Sequence, residues 1–523
     1  MDFSKMTLRE KVFQTFITYP YHISQVGNLK RFFEEYPCGG VYFSNGSVTD
    51  LAKEMEEGAI SANDFIDRCR AASRFPLIVC ADGTSINGGK GQANSASVAA
   101  TRDMDLAYRV GRAVGMQQNH NHVDWVLGPC IDMPTCHVTD TISFAATDDA
   151  SLNAEMYSAM VRGIQDQGVA ATVKHFPGLG THHVNFHYAP AVNTLSLDEW
   201  FDTVGKSYSA CFDENCMCVM TSHMAFPAWS KKGDDGRYPI ATYSTDITVK
   251  LLKERLGFKG AVVTDALTMG GMACGNQTED AVQAFKSGAD FLLWPPMEAG
   301  DRIVEEIEKG NIPMSRLEDA LARIQYVRDF LGYKGMEREY GEADAKFVDD
   351  VWYEAMERGI ACIRNDIGLL PLSPEKQKKI LVIGCAKDED DMKRIRPVVD
   401  ALKKRGFEAD FQEYLLTCWE DQMNAICDPY DLIMVCYNVP FTVGVFPKCA
   451  STTWASHLLD KTKSMFLNFS APHFADDYFP EAKTFVTTHH AIGALCIEEA
   501  IARICGEKEF EGQSPVKLET LLD

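Results

Sequence analysis

From residue 1 to about 335 the chain repeats one pattern, a short apolar run followed by a longer amphipathic segment. That alternation builds a parallel sheet, because two parallel strands can be joined only through a crossover long enough to form a helix. The runs fall at 12–17, 40–43, 77–80, 125–127, 171–173, 218–220, 261–263 and 291–293, eight in all. Eight units, with no phosphate-type glycine fingerprint in the first, predict a (β/α)8 barrel of the TIM type over residues 1–340 rather than an open doubly wound sheet.

Several runs end in a polar or ionisable residue: Asp82, His175, His223 and Asp265. In a barrel the carboxyl ends of the strands converge on one mouth, so groups far apart in sequence would line a single pocket.

Beyond the barrel, residues 344–359 place Phe347, Val348, Val351, Trp352, Ala355 and Met356 on recurring helical faces. They belong to an expected connector, a helix and a strand, over 341–371. A second βα series follows, with apolar runs at 380–383, 432–435, 465–467 and 484–486, and predicts a smaller doubly wound α/β sandwich domain over 372–523. The turn Gly384-Cys385-Ala386 after its first run lacks the dinucleotide pattern, so no nucleotide and no other cofactor is expected.

A formal net charge of -23 would repel phosphate backbones and sets nucleic acid aside as a partner. No charge-free run of about 18 apolar residues occurs, so no membrane partner is expected. The seventeen cysteines lie mostly inside apolar runs, as small buried hydrophobes do in a reducing compartment. The triplet Cys211, Cys216 and Cys218 has no matching second half, so no metal site is expected. Charged residues occupy the N-terminal positions where a signal peptide would need its apolar core, which adds to the expectation of a cytoplasmic protein. A homodimer is left open.

The densest cluster of reactive groups is Lys174-His175-Phe176-Pro177-Gly178-Leu179-Gly180-Thr181-His182-His183-Val184-Asn185-Phe186-His187. A lysine and four histidines on a Gly/Pro loop, delivered by the end of a buried strand, suit the rim of an active site.

This loop resembles that of glycoside hydrolase family 3 in its β-N-acetylglucosaminidase branch. The pattern Lys-His-Phe-Pro-Gly-His-Gly is met from Lys174 to Gly180 except at Leu179. The resemblance extends to residues 256–267, which are similar to the family's nucleophile segment, and to Gly288-Ala289-Asp290, Val219-Met220-Thr221-Ser222-His223 and 365–372. It implies a barrel followed by an α/β domain, and a small glycoside or oligosaccharide as substrate. It also implies roles: Asp265 as nucleophile, His187 as acid/base, and Asn185 at the position of the aspartate that partners that histidine. Asp82, Lys174, His175 and His223 would contact sugar hydroxyls.

Retaining glycosidases need one group that attacks the anomeric carbon and a second that protonates the leaving oxygen, then deprotonates water. Imidazole, with a reference pKa of about 6.5, can do the second task near neutrality. Asn185 can orient the ring but supplies no charge. Two further departures from the family pattern touch the pocket: Ile142 stands where the family has a sugar-holding arginine, and the loop 83–89 behind Asp82 is rearranged. His182 and His183 have no counterpart in the pattern. Three activities follow: a retaining exo-β-glycosidase of the β-N-acetylglucosaminidase type, a glycoside phosphorylase, and a degenerate glycan binder.

Overall fold

The structure, a computed structural model, describes residues 1–43, 61–83, 93–137, 139–272, 275–332, 340–417, 419–440 and 443–519. The chain folds into two compact units that interleave in sequence: Met1–Thr84, Tyr108–Asp132 and Ala154–Ala345 form the first; Ser85–Ala107, Met133–Asn153 and Lys346–Asp523 form the second. The boundaries expected at 340 and 371 treat each domain as one continuous segment. The structure instead assigns two excursions of the barrel sequence, and the 346–371 part of the expected connector, to the second unit. Hydrophobic patterning reports that a segment packs, not which core receives it.

In the first unit, strands β1 (Phe16–Thr18), β2 (Gly40–Phe43), β3 (Ile78–Asp82), β4 (Trp125–Leu127), β5 (Ala170–Phe176), β6 (Cys218–Thr221), β7 (Ala261–Thr264) and β8 (Leu292–Leu293) form one parallel sheet in the order β8-β1-β2-β3-β4-β5-β6-β7. A parallel bridge between Val263 and Phe291 brings its two ends together. The barrel is therefore confirmed, with one local correction. The run at 12–17 is not a single strand, because Leu8–Phe13 is helical and β1 starts only at Phe16. A capping box explains it: Thr7 accepts the Glu10 N–H, and Glu10 accepts the Thr7 N–H at 2.8 Å.

Alternate strand residues fill the barrel. Ile17, Ile78, Cys80, Trp125, Leu127, Ala170, Cys218, Met220, Ala261, Val263, Phe291 and Leu293 share one interior core. A larger core, including Phe13, Phe16, Phe32, Val41, Val79, Phe285, Leu292 and Ile303, forms between strands and helices.

Buried ionic groups fasten this frame. Asp290, of the Gly288-Ala289-Asp290 motif, is wholly buried; its carboxylate accepts from the Val262 N–H at 2.9 Å, from Lys253 Nζ at 2.8 Å, and from Arg316. It thus ties β7 to the turn before β8. Near the start of the strands, buried Arg328 donates to the Pro76 and Gly39 carbonyls and to Gln14 Oε1, linking the entries to β1, β2 and β3.

The second unit holds a six-stranded sheet: β9 (Ala361–Asn365), β10 (Lys379–Ala386), β11 (Glu408–Glu413), β12 (Leu432–Asn438), β13 (Ser464–Asn468) and β14 (Thr484–Thr487), in the order β9-β14-β13-β12-β10-β11. The five strands from β10 onward are parallel and follow the 2-1-3-4-5 order of doubly wound folds. β9, in the expected connector, adds antiparallel to β14 at one edge. β11 was not among the expected runs, since only Ala409 of its six residues is buried and an edge strand needs no continuous apolar run.

Asp290→Ala removes the one fully buried carboxylate between Lys253 and Arg316 and leaves them only the half-exposed Asp319. The expected loss is about 3–5 kcal/mol of unfolding free energy in a urea titration, against little change for an exposed-site control such as Asp350→Ala.

Candidate active site at the carboxyl end of the barrel

The period-2 alternation that fills the barrel also aims its functional groups. Cys80 and Val263 are in the interior core, so Asp82 and Asp265, two residues further on, reach the mouth on the same face. Lys174 arrives there from β5, and its Nζ bonds Asp82 Oδ1 at 2.7 Å across the intervening β4. Burial works against the Lys174 ammonium, but the Asp82 carboxylate, with Asp265 further off, outweighs it and raises its pKa above the ordinary lysine value. Lys174 is thus a fixed cation beneath a half-exposed carboxylate.

His175 is held from behind. Its Nδ1 bonds Asp132 Oδ2 at 2.7 Å, and its Nε2 lies 3.8 Å from Asp265 Oδ2. Asp132 is fully buried beyond β4 and also accepts the backbone N–H groups of His175 at 3.1 Å and Leu179 at 2.7 Å, and the Cys130 thiol at 3.1 Å. Burial pushes the Asp132 carboxyl upward, but His175 and these bonds outweigh it and hold it below the usual carboxylate range. Burial, then Asp132, pushes the Cys130 thiol well up and keeps it protonated.

Cys130, Asp132 and His175 form the one group among the described residues whose potential ligand atoms lie within 4.8 Å of one another. The hydrogen atoms of the thiol and the imidazole are already directed at the carboxylate, so the group reads as an orienting cluster. Sequence reasoning missed Asp132. Its signal was an acidic residue in the apolar stretch just after the run at 125–127.

Asp265 follows β7 directly. Its N–H donates to the Thr221 carbonyl at 3.0 Å, and its Oδ1 accepts the Ala266 N–H at 2.8 Å. Oδ2 is buried with no hydrogen-bond partner among the described residues. One oxygen is pinned and the other faces His175, which is the arrangement of a positioned nucleophile.

His223 requires a correction. It is 0 % exposed, and its ring nitrogens face Thr242 Oγ1 at 2.8 Å and the Ala266 carbonyl at 3.1 Å. Burial lowers its pKa and favours the neutral ring. With both nitrogens occupied by protein, His223 positions the Asp265–Ala266 turn instead of meeting a sugar hydroxyl.

The loop after β5 is anchored at both ends. Asn193 Nδ2 donates to the Pro177 and Gly178 carbonyls, and Trp200 Nε1 donates to Pro177 O at 2.7 Å. Gly178 sits at φ 104 with Val204 packed where a Cβ would be. Leu179, the departure from the family's histidine, is buried with Phe186, Ala191 and Met224 in a small core, so it serves as the loop's apolar anchor.

The same loop carries His187 to the segment after Asp265, where the His187 carbonyl accepts the Gly270 N–H at 2.9 Å. The exposed His187 ring turns Nδ1 toward Asn185 Oδ1 at 2.8 Å, and the His187 N–H meets the same oxygen at 2.9 Å. An amide oxygen can only accept, so Nδ1 carries hydrogen and Nε2 is the nitrogen that can exchange a proton with a ligand. His182 Nδ1 accepts the Val184 N–H at 3.2 Å, and the His182 and His183 rings stack at 4.4 Å, which makes the pair a turn element. Ile142 is buried within the second unit, and loop residues 84–89 lie outside the described residues.

Asp132 acts through the His175 ring and the backbone of the loop that follows it, which yields a direct test. Asp132→Asn is expected to lower kcat/KM on chromogenic glycosides by on the order of 10²-fold or more, by analogy with removing the orienting charge of a catalytic triad. A melting curve separates this from the loss of about 1–3 kcal/mol expected for a weakened buried hydrogen-bond cluster.

Comparison with known proteins bears on the family and the fold. Residues 24–327 match the Glycosyl hydrolase family 3 N terminal domain. The "Beta-N-acetylglucosaminidase/beta-glucosidase" of Cellulomonas fimi is 25% identical over 555 aligned residues, covering 97% of this chain and 93% of that protein. "Beta-hexosaminidase A" of Pseudoalteromonas piscicida is 28% identical over 230 residues, covering 41% of this chain and 37% of its own. Among solved structures, "Beta-glucoside phosphorylase BglX bound to 2FGlc" superposes with a TM-score of 0.80 at 23% identity, covering 99% of this chain and 96% of that one. A family 3 β-N-acetylglucosaminidase from Paenibacillus sp. str. FPU-7 superposes with a TM-score of 0.78 at 21% identity, covering 98% and 99%. The match of residues 24–327, with the barrel and its α/β second domain, places this chain in glycoside hydrolase family 3.

Proposed function

We propose that this protein is a retaining exo-β-glycosidase of the β-N-acetylglucosaminidase type. The observation that carries the reading is Asp265 Oδ2, buried at the barrel mouth with no hydrogen-bond partner among the described residues and 3.8 Å from His175 Nε2. In the first step this oxygen bonds to the anomeric carbon as the bond to the leaving oxygen breaks, and His187 Nε2 gives its proton to that oxygen. In the second step the neutral His187 takes a proton from water as the water oxygen bonds to the anomeric carbon and the ester to Asp265 breaks. Asp82, Lys174 and His175 supply the acceptors and donors that sugar hydroxyls require. Most of the described cysteines are buried thiols, which supports a reducing, cytoplasmic setting.

A second reading is favoured by one feature of the loop. Asn185 gives the acid/base histidine a neutral partner, so the loop carries no carboxylate beside His187 to repel an anionic acceptor. Phosphate in place of water would make the protein a glycoside phosphorylase, the activity named for the BglX structure.

Incubation with a 2-fluoro glycoside is expected to add one glycosyl group to the peptide containing Asp265, read by mass spectrometry. Turnover without any such adduct would exclude the glycosyl-aspartate route. Running the reaction with and without millimolar phosphate then separates the two activities, since only the phosphorylase yields sugar 1-phosphate. Asn185→Asp is expected to extend the alkaline limb of the pH–rate profile upward, because a carboxylate beside the imidazole stabilises its protonated form.

A further inference from the structure

The charged residues occupy one side of the barrel mouth, and the other side is aromatic. Tyr19 follows β1, Tyr42 lies in β2 and Trp294 follows β8; none has a part in the proton transfers or the nucleophilic attack. The Trp294 ring centroid lies 5.0 Å from that of Tyr19 and, edge-on, 5.0 Å from that of Tyr42. Each keeps part of its surface exposed, whereas the interior residues below them are buried.

The position of this wall is set by the strands. The Trp294 N–H donates to the Ile17 carbonyl at 2.9 Å, and the preceding carbonyl, of Leu293, accepts the Leu267 N–H at 3.0 Å, two residues past Asp265. At the other end Tyr42 is in register with Cys80, two residues before Asp82, and burial together with the Asp82 charge raises the pKa of its hydroxyl. The aromatic arc therefore runs from beside the nucleophile to beside Asp82, across the mouth from Lys174.

Trp294 is held there under strain. Its φ is 57, a left-handed backbone that a bulky side chain adopts only at a cost and that tends to mark functional sites. Its indole Nε1 is buried with no hydrogen-bond partner among the described residues, so polar bonding does not account for the residue. What remains is the ring surface. A pyranose has polar edges and apolar C–H faces, and an aromatic face opposite a charged arc matches both.

We propose that Trp294, braced by Tyr19 and Tyr42, is the platform for the C–H face of the sugar bound at Asp265 and sets its affinity. The proposal rests on the glycoside reading of that site.

Isothermal titration of glucose and of N-acetylglucosamine into the full-length protein, Trp294→Ala and Trp294→Phe tests it. Trp294→Ala is expected to weaken the tighter-bound sugar roughly tenfold, and Trp294→Phe, which keeps an aromatic face, by no more than about threefold. The wild-type tryptophan emission is expected to shift on sugar saturation, and Trp294→Phe to lose that shift although six of the seven tryptophans remain. Unchanged affinity in Trp294→Ala, with native circular dichroism, overturns the platform and leaves the role of Asp265 standing. A wild type that binds neither sugar overturns the platform and the glycoside reading together. If Trp294→Ala does not fold, the emission shift decides: its persistence in Trp294→Phe refutes the proposal.

Discussion

One buried carboxylate organises the site. Asp132 lies behind the mouth and binds the His175 ring, the His175 and Leu179 backbone N–H groups, and the Cys130 thiol. A fully buried charge is tolerated only when its lone pairs are satisfied, so these partners are held in place by the penalty of releasing them. The direction of the His175 ring, the start of the loop that carries His187 and the environment of Asp265 all depend on that penalty.

The first unit contains two kinds of buried carboxylate, and the difference lies in whether both oxygens are bound. Asp290 is bound by Lys253, Arg316 and the Val262 N–H, and Arg328 by two carbonyls and Gln14; both fasten the frame. At the mouth one carboxylate oxygen stays unbonded among the described residues. Asp265 has one oxygen bound to Ala266 and the other unbonded among the described residues, and Asp82 gives Lys174 a partner while remaining half-exposed. An attacking carboxylate would need such an unbonded oxygen, and the rigid frame below holds it in place.

The barrel was legible because its strands are buried on both faces and read as apolar runs, and the polar residues ending those runs marked the mouth. Legibility failed where a local signal competed or where no burial was required. The capping box at Thr7 and Glu10 turned the start of an apolar run into helix, and the exposed edge strand β11 left no run to read. Asp265, Lys174 and Asp82 reach the mouth as expected. His223 lies at a strand end too, yet its ring is enclosed by Thr242 and Ala266, partners that strand-end position does not reveal.

The sequence by itself determined the strand periodicity, the family, and the residue types that can do glycosyl transfer, because these depend on local composition and on order along the chain. Only the tertiary structure decided which core each segment joins, that Asp132 stands behind His175, that Asn185 takes Nδ1 of His187, and that three aromatic rings from β1, β2 and β8 meet across the mouth. Those outcomes depend on distances between residues far apart in sequence, which are set when the sheet closes.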